Sequence, residues 1–598
     1  NKELMKFIFP ISYEEAQKLD PNIRKNKKTY WLIFENPIEK ICVEESFDVL
    51  ITLREIQNFF DRWKSYNKYF AGYFSYDLGF YLLNLINNNK YLIKLPLILG
   101  GFFDSYRISE DLGLISKNIF LNNFKLLENY KNYHNNIIKI RDYIYKGNVY
   151  QINYAFPVEF CIYGDPLNLF YALWNKQMSW NSCFIQDDGF FIISVSPEMF
   201  FYCEDNQITL KPMKGTSKKY LSLRKNIQAI RYLKNSKKEI AENAMIVDLI
   251  RNDLGRISKI GTVKIDHLFK IEIYETIIQM ISQISSTLRI EPNDKKFWEA
   301  LFPSGSVTGA PKISSIKYIQ KLENYRRGIY TGSIGWKINK YTKFNVAIRT
   351  IVGSNLNSYY YVGSGITYDS EPIKEFKECM TKIKFLKEAQ KELKPEYIFT
   401  TMKFSGGIIY YEKSHLKRLK ETKMFFGYPI KENKIINKFI KLKKYLRHLK
   451  YSVRIHFRVY KNGKIYVHLS KLNHKKNYTI GISNIKTDYN NIFLYYKTSN
   501  REIYQSEFDK YKNHLDEIIF VNKDGYITEG SFTNIIIKKN GIFYTPPVAA
   551  GLLDGILRKK IIKKWKIQEK NISIEELQDA DQIFLVNSVR GIIKAQMI

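Results

Sequence analysis

Apolar and polar positions alternate along this chain in two registers. Residues 29–34 and 71–76 are short runs rich in aromatic and β-branched side chains, which predicts strands. A series of alternating strands is predicted over 183–211. Residues 133–146 predict a helix, and 236–254 predict an amphipathic one with Met245, Leu249 and Ile250 among its apolar positions. Another helix opens near Ile373 and runs to about Lys391. At 391–397 the pattern breaks: Pro395 is disfavoured inside a helix, and a strand-like run over 398–404 follows. A domain junction is expected there, dividing 1–392 from 398–598. No internal repeat relates the halves, and each reads as α+β.

Composition narrows the class. A chain of 598 residues exceeds what one core holds, so two or more domains are expected. An apolar fraction of 45% with 15% aromatic residues excludes disorder of the whole. There is no run of about 18 apolar residues, and the first twelve residues lack an apolar secretory segment; a cytoplasmic protein is expected. The five cysteines are odd in number and scattered, which fits reduced, buried thiols, not a disulfide framework or zinc site. The net charge of +35 raises nucleic acid or membrane as partners, but lysines run through every segment without a dedicated arm. Solvated basic faces account for that distribution, and such a field draws in small anions.

Candidate chemistry gathers around two lysines. The first is Lys214, in Leu210-Lys211-Pro212-Met213-Lys214-Gly215-Thr216, read as a turn after a strand. Glu198, Glu242, Glu375 and Glu378 surround it in sequence. An amine among carboxylates suggests covalent or acid–base chemistry on an anion, with a hard metal ion among the acids. Glu375, Glu378 and Lys382 share one helix face, a spacing that equally fits a solvated charged surface. Gly363-Ser364-Gly365-Ile366 precedes them and is expected to be a loop whose N–H groups approach an anion. The second is Lys497, in Tyr496-Lys497-Thr498-Ser499-Asn500-Arg501, which alone reads as an exposed basic turn. Arg418, Glu529 within Thr528-Glu529-Gly530-Ser531, and the glycine segment Gly551-Leu552-Leu553-Asp554-Gly555-Ile556-Leu557 change that reading. A lysine, an acid, an arginine and a phosphate loop are what pyridoxal phosphate requires.

Ordered motifs carry a resemblance. Ser75-Tyr76-Asp77-Leu78-Gly79, Ser196-Pro197-Glu198, Asp248-Leu249-Ile250-Arg251-Asn252-Asp253 and Ala347-Ile348-Arg349-Thr350 are four of them. Phe302-Pro303-Ser304-Gly305-Ser306-Val307-Thr308-Gly309-Ala310-Pro311-Lys312 is the longest. Over about 70–390 the chain resembles the chorismate-binding family of anthranilate, aminodeoxychorismate and isochorismate synthases. That implies an N-terminal two-sheet β-sandwich with flanking helices. It implies Mg2+ on Glu242 and Glu378, and a substrate carboxylate on Tyr330 and Arg349. Gly363, Gly365, Gln279 and Thr308 would line the substrate, Glu375 and Lys382 would support it and the metal, and Glu198 would be the general acid/base. Lysine at 214, where anthranilate synthases usually carry alanine, is similar to aminodeoxychorismate synthases and implies attack by Lys214 on chorismate. Gln279 departs from the family's usual histidine. No cysteine has the Gly-x-Cys-x-Gly setting of a glutaminase, so ammonia is expected from a separate amidotransferase subunit.

Residues 398–598 resemble the class IV (fold-type IV) aminotransferase family, which includes aminodeoxychorismate lyase. The resemblance implies pyridoxal 5'-phosphate bound through Lys497, its ring nitrogen on Glu529, and its phosphate held by Arg418 and the backbone of Gly555, Ile556 and Leu557. Leu557 stands where threonine is usual. The resemblance also implies a homodimer through this half. Together the halves suggest para-aminobenzoate synthesis from chorismate. An anthranilate-type synthase fused to an aminotransferase, and a synthase with an inactive dimerisation module, remain alternatives.

Overall fold

The computed structural model describes residues 5–66, 68–85, 89–113, 119–219, 222–273, 277–354, 357–472, 475 and 477–598. They divide into two compact units. One comprises Asn1–Ser116, Asn123–Ile162 and Pro166–Ala389; the other comprises Lys117–Asn122, Tyr163–Asp165 and Gln390–Ile598. Among the described residues no helix is long and apolar enough to cross a membrane.

The first unit is built on two sheets, each of ten strands among the described residues, with antiparallel pairing throughout. Strand alternation explains why they stack. In Tyr69–Phe74, Ala71 and Tyr73 face a core shared with Phe7, Phe34 and Ile192 of the other sheet. Phe70 and Phe74 face the opposite way, into a second core with Trp63 and Trp298. The rings of Phe74 and Trp298 stack at 3.9 Å. The helices Val49–Ser65, Lys237–Gly255 and Lys295–Leu301 supply the outer wall of that second core. The expected sandwich with flanking helices is therefore present.

The second unit has a four-stranded antiparallel sheet around Tyr397–Ser405 and Val453–Tyr460, packed on the helices Glu412–Phe426 and Glu432–Leu446. Its other sheet mixes parallel and antiparallel pairs. The pairing of Glu529 with Asn534 joins Ile527–Gly530 to Asn534–Lys539, so six strands close into a ring filled by Ile480, Ile519, Ile535 and Leu585.

The predicted elements fall near their expected bounds. The helix expected over 236–254 is Lys237–Gly255, and the one expected from Ile373 is Pro372–Leu393. Two expectations need correction. Gly363-Ser364-Gly365-Ile366 is no loop; it ends the strand Asn357–Ile366, hydrogen-bonded in register with 152–155. Lys214 sits in the strand Met213–Lys218, whose register against Ile277–Thr287 breaks between Met213 and Thr216. Gly215 takes φ +86°, which other residues rarely adopt, and this lets the chain bulge there. The expected thiols are not uniformly buried: Cys42 is exposed and Cys161 half-buried.

Candidate active sites

In the first unit Lys214 and Glu198 meet through one serine, with Gly365 beside the lysine. The Lys214 amine donates to the Ser306 carbonyl at 3.0 Å, and the Ser306 hydroxyl donates to Glu198 Oε1 at 2.7 Å. Glu198 is buried, and burial holds its carboxyl above the usual range; the Ser306 hydrogen bond and the Lys214 charge only partly offset this. A Cβ on Gly365 would press on Gln151 Nε2 and lie 3.8 Å from the Lys214 amine. Glycine at 365 is thus a requirement of close approach in a strand, not of loop freedom.

The same strand leads to the second group. Lys382 donates to the Gly363 carbonyl at 2.6 Å and pairs with Glu378 at 2.8 Å. Glu375 is buried and accepts from Ser370 Oγ at 2.8 Å. Tyr330 stacks on Tyr361 at 5.2 Å in a cluster with Ala155, the register partner of Gly363. Arg349 takes φ +50°, and burial draws its guanidinium below the ordinary range. Among the described residues it has no acidic partner within ion-pair distance, so it is suited to an incoming carboxylate. Gln279 lies across from Thr216 in the paired strand, and Thr308 is spent on the Ser304 carbonyl at 2.7 Å. Glu242 lies half-buried on Lys237–Gly255.

Among the described residues no three His, Cys, Asp or Glu side chains gather into a metal cluster. Mg2+ commonly binds one or two carboxylates and keeps waters for the rest of its shell. Glu242 and Glu378 are donors of the kind that ion takes, and in this structure Glu378 is paired with Lys382 at 2.8 Å.

Other motif residues are structural. Lys312 pairs with Asp253 at 2.7 Å while donating to the carbonyls of Ala300 and Leu301. Arg327, fully buried, donates to Glu323, the Val307 carbonyl and the Asn153 carbonyl, clamping three segments that border the site. The sequence reading assigns no role to Ser306 or Gln151. Gln151 Oε1 is buried without a hydrogen-bond partner beside Gly365, a fact only three-dimensional packing reveals.

In the second unit a cleft of about 1080 Å³ is lined by Lys497, Arg418, Glu529, Gly555 and Ile556. Lys497 is not an exposed turn. Its carbonyl accepts from Phe399 N at 3.0 Å, and Ser499 N donates to Tyr397 O, so the segment runs along the first strand of the unit. Burial, then the Arg418 and Arg501 charges, hold the Lys497 amine well below its ordinary range against the pull of Glu529. Glu529 accepts from Arg501 at 2.9 Å, Tyr504 at 2.9 Å and Asn534 at 3.3 Å. Arg418 Nη2 donates to Thr400 Oγ1 at 3.0 Å, and its Nε has no hydrogen-bond partner. Burial and Arg501 draw it down to about 10, with Asp554 opposing. A buried guanidinium without an acidic partner, beside the N-terminus of Ile556–Trp565, fits a phosphate group. Leu557 is buried in that helix, packed with Ile536 and Ile561. The residues present thus fit pyridoxal phosphate.

Both halves match known families. Residues 110–388 match the family described as chorismate binding enzyme, and residues 397–598 match amino-transferase class IV. The chain joins a chorismate-binding enzyme domain to a class IV amino-transferase domain. Over 249 residues, 42% of the chain, it is 34% identical to anthranilate synthase component 1 of Saccharolobus solfataricus. Over 245 residues, 41% of the chain, it is 33% identical to aminodeoxychorismate synthase component 1 of Bacillus subtilis. These matches span 59% and 52% of those relatives. The crystal structure of anthranilate synthase component I from Streptococcus pneumoniae shares the fold, with a TM-score of 0.52 at 22% identity over 62% of this chain and 97% of that one.

Proposed function

We propose that the chain makes para-aminobenzoate in two steps, residues 1–392 aminating chorismate to 4-amino-4-deoxychorismate and residues 398–598 eliminating pyruvate from it. The observation that carries this reading is the contact of the Lys214 amine with the Ser306–Glu198 pair. The near-equal similarity to anthranilate and aminodeoxychorismate synthases does not separate the two chemistries. A lysine at 214, beside a buried carboxyl, supports the aminodeoxychorismate reading because it offers the ring a covalent partner.

Arg349 and Tyr330 receive the enolpyruvyl carboxylate. Mg2+ on Glu242 and Glu378 would neutralise the ring carboxylate and the acidic pocket. Glu198, whose carboxyl burial shifts toward the protonated form, gives its proton to the leaving 4-hydroxyl as the Lys214 nitrogen bonds to the ring, releasing water. Ammonia then bonds at C4 and the Lys214–carbon bond breaks. The relatives' name, component 1, implies a further component; a separate amidotransferase subunit supplying ammonia fits the absence of a glutaminase elbow.

In the second site Arg418 and the N-terminus of Ile556–Trp565 would hold the cofactor phosphate, and Glu529 would hold the ring nitrogen; all of them line or border one cleft. Bound pyridoxal phosphate would supply an electron sink for the substrate carbanion. Lys497, its amine drawn toward the neutral form by burial, would hold the cofactor through its aldehyde carbon and could carry a proton to or from the substrate carbon. A homodimer through this half is part of the reading.

The test is product formation from chorismate, ammonia and Mg2+, with and without pyridoxal phosphate. Para-aminobenzoate and pyruvate are expected from the wild type, none from Lys214→Ala, and 4-amino-4-deoxychorismate from Lys497→Ala. Anthranilate from the wild type would overturn the reading of the first site.

A further inference from the structure

The cleft of the second unit holds more positive charge than a phosphate uses. On the strand Val453–Tyr460, Val453, Ile455, Phe457 and Val459 are buried, while Arg454, His456 and Arg458 alternate with them and line the cleft. Arg590 joins them from beside Asn587. Among the described residues none of these three guanidiniums has a carboxylate within ion-pair distance, whereas Arg501 has Glu529 and Arg558 has Asp554. Arg458 Nε is buried with no hydrogen-bond partner. The groups feel one another: partial burial, then Arg590 and Arg458, draw Arg454 below its ordinary range. Arg458 and Arg590 rest over the rings of Tyr397 and Phe532, at 5.1 and 4.7 Å, which offsets part of the cost of crowding like charges, and an anion would offset the rest.

Arg418 belongs to a different pole. The charges that act on it are Arg501 and Asp554, while Arg454 acts on the Lys497 amine. Lys497 thus shares one cleft with, and feels the charge of, both Arg418 and Arg454. His456, drawn down to about 3 by burial and by Arg458, is neutral. Its Nδ1 accepts from Arg458 Nη2 at 3.2 Å, which leaves Nε2–H as a donor without a partner.

We propose that Arg454, Arg458 and Arg590 form a carboxylate-binding wall, and that the second site selects a primary amine carrying two carboxylates. A guanidinium fork suits each carboxylate, and a singly charged amino acid would leave part of the wall unpaired. The proposal deepens the reading of this site as a pyridoxal phosphate lyase and rests on it for the cofactor's position.

Binding without turnover tests it. Isophthalate and benzoate share a ring, lack an amine and differ by one carboxylate. Calorimetry on the full chain loaded with pyridoxal phosphate should show isophthalate binding about tenfold or more tightly than benzoate. Arg454→Gln, Arg458→Gln and Arg590→Gln should each erode that preference. Each variant should keep the cofactor's visible absorbance and its thermal midpoint, because removing one of several like charges relieves repulsion. Arg454→Lys, keeping charge but losing the fork, should fall between. Equal binding of the two ligands by the wild type, or an unchanged preference in all three Gln variants, overturns the wall. Turnover separates the two readings. A preference that stands while 4-amino-4-deoxychorismate is not consumed sinks the lyase reading and leaves the wall supported. Wild-type consumption by the Arg454→Gln/Arg458→Gln double variant sinks the wall alone.

Discussion

Burial does different work on different carboxyls. If Glu198 is the proton donor of the proposed mechanism, its raised acidity constant makes amination decline as pH rises through that value. Glu198→Gln should remove this limb of the pH–rate profile and cost about 10²–10⁴-fold in kcat, with chorismate binding largely kept. At Asp77 burial pushes the carboxyl up to about 7, opposed by Arg326 and the Gly328 N–H, and its Oδ1 has no hydrogen-bond partner. A folded value above the unfolded one means stability that is full at low pH and lost as pH rises through about 7. The expected loss is on the order of 4 kcal/mol between acid and alkaline limits. The loss is spread from about pH 4 to pH 7, so urea unfolding at pH 5 and pH 8 should differ by roughly 2–3 kcal/mol of it, and Asp77→Asn should flatten the difference.

At the scale of the element, the site depends on strands placed against each other more tightly than side chains allow. Gly365→Ala would drive a methyl into Gln151 beside Lys214, so kcat/KM for chorismate should fall by about 10²-fold with little loss of folded protein. The segment from Phe302 to Lys312 is held down by the buried Lys312–Asp253 pair, where burial raises Asp253 and Lys312 offsets part of it. Lys312→Met should destabilise by roughly 3–5 kcal/mol because it strands a buried charge, while Lys312→Met with Asp253→Leu should recover most of it. Chemical denaturation of the three variants measures both numbers.

At the scale of the whole molecule, two sites in series predict complementation. Neither Lys214→Ala nor Lys497→Ala should form para-aminobenzoate from chorismate and ammonia, but a mixture of the two should, as 4-amino-4-deoxychorismate passes through solution. A mixture that stays silent while each variant keeps its own half-reaction would contradict a freely exchanged intermediate. Adding the Lys214→Ala chain to 4-amino-4-deoxychorismate should release pyruvate at the wild-type rate.

The sequence alone determined the elements and the ingredients. Periodicity located the helices Lys237–Gly255 and Pro372–Leu393 within a few residues, because buried faces impose their period on the chain. Motif order identified both domains, and Lys214, Lys497, Glu529 and Arg418 stood out by residue type and neighbours. Other features were decided only by the tertiary structure. The glycines of 363–366 read as a loop because local propensity cannot reveal that a strand is crowded from across the sheet. Taken by itself the Lys497 segment reads as an exposed turn, and only its partners in sequence change that, because its burial comes from a strand almost a hundred residues away in the chain. Ser306, between Lys214 and Glu198, had no signal beyond its motif. The Arg454, His456 and Arg458 row was visible as a period of two, but not that it faces Lys497. Contacts distant in sequence set burial, burial sets charge state, and charge state decides what a lysine or a carboxyl can do.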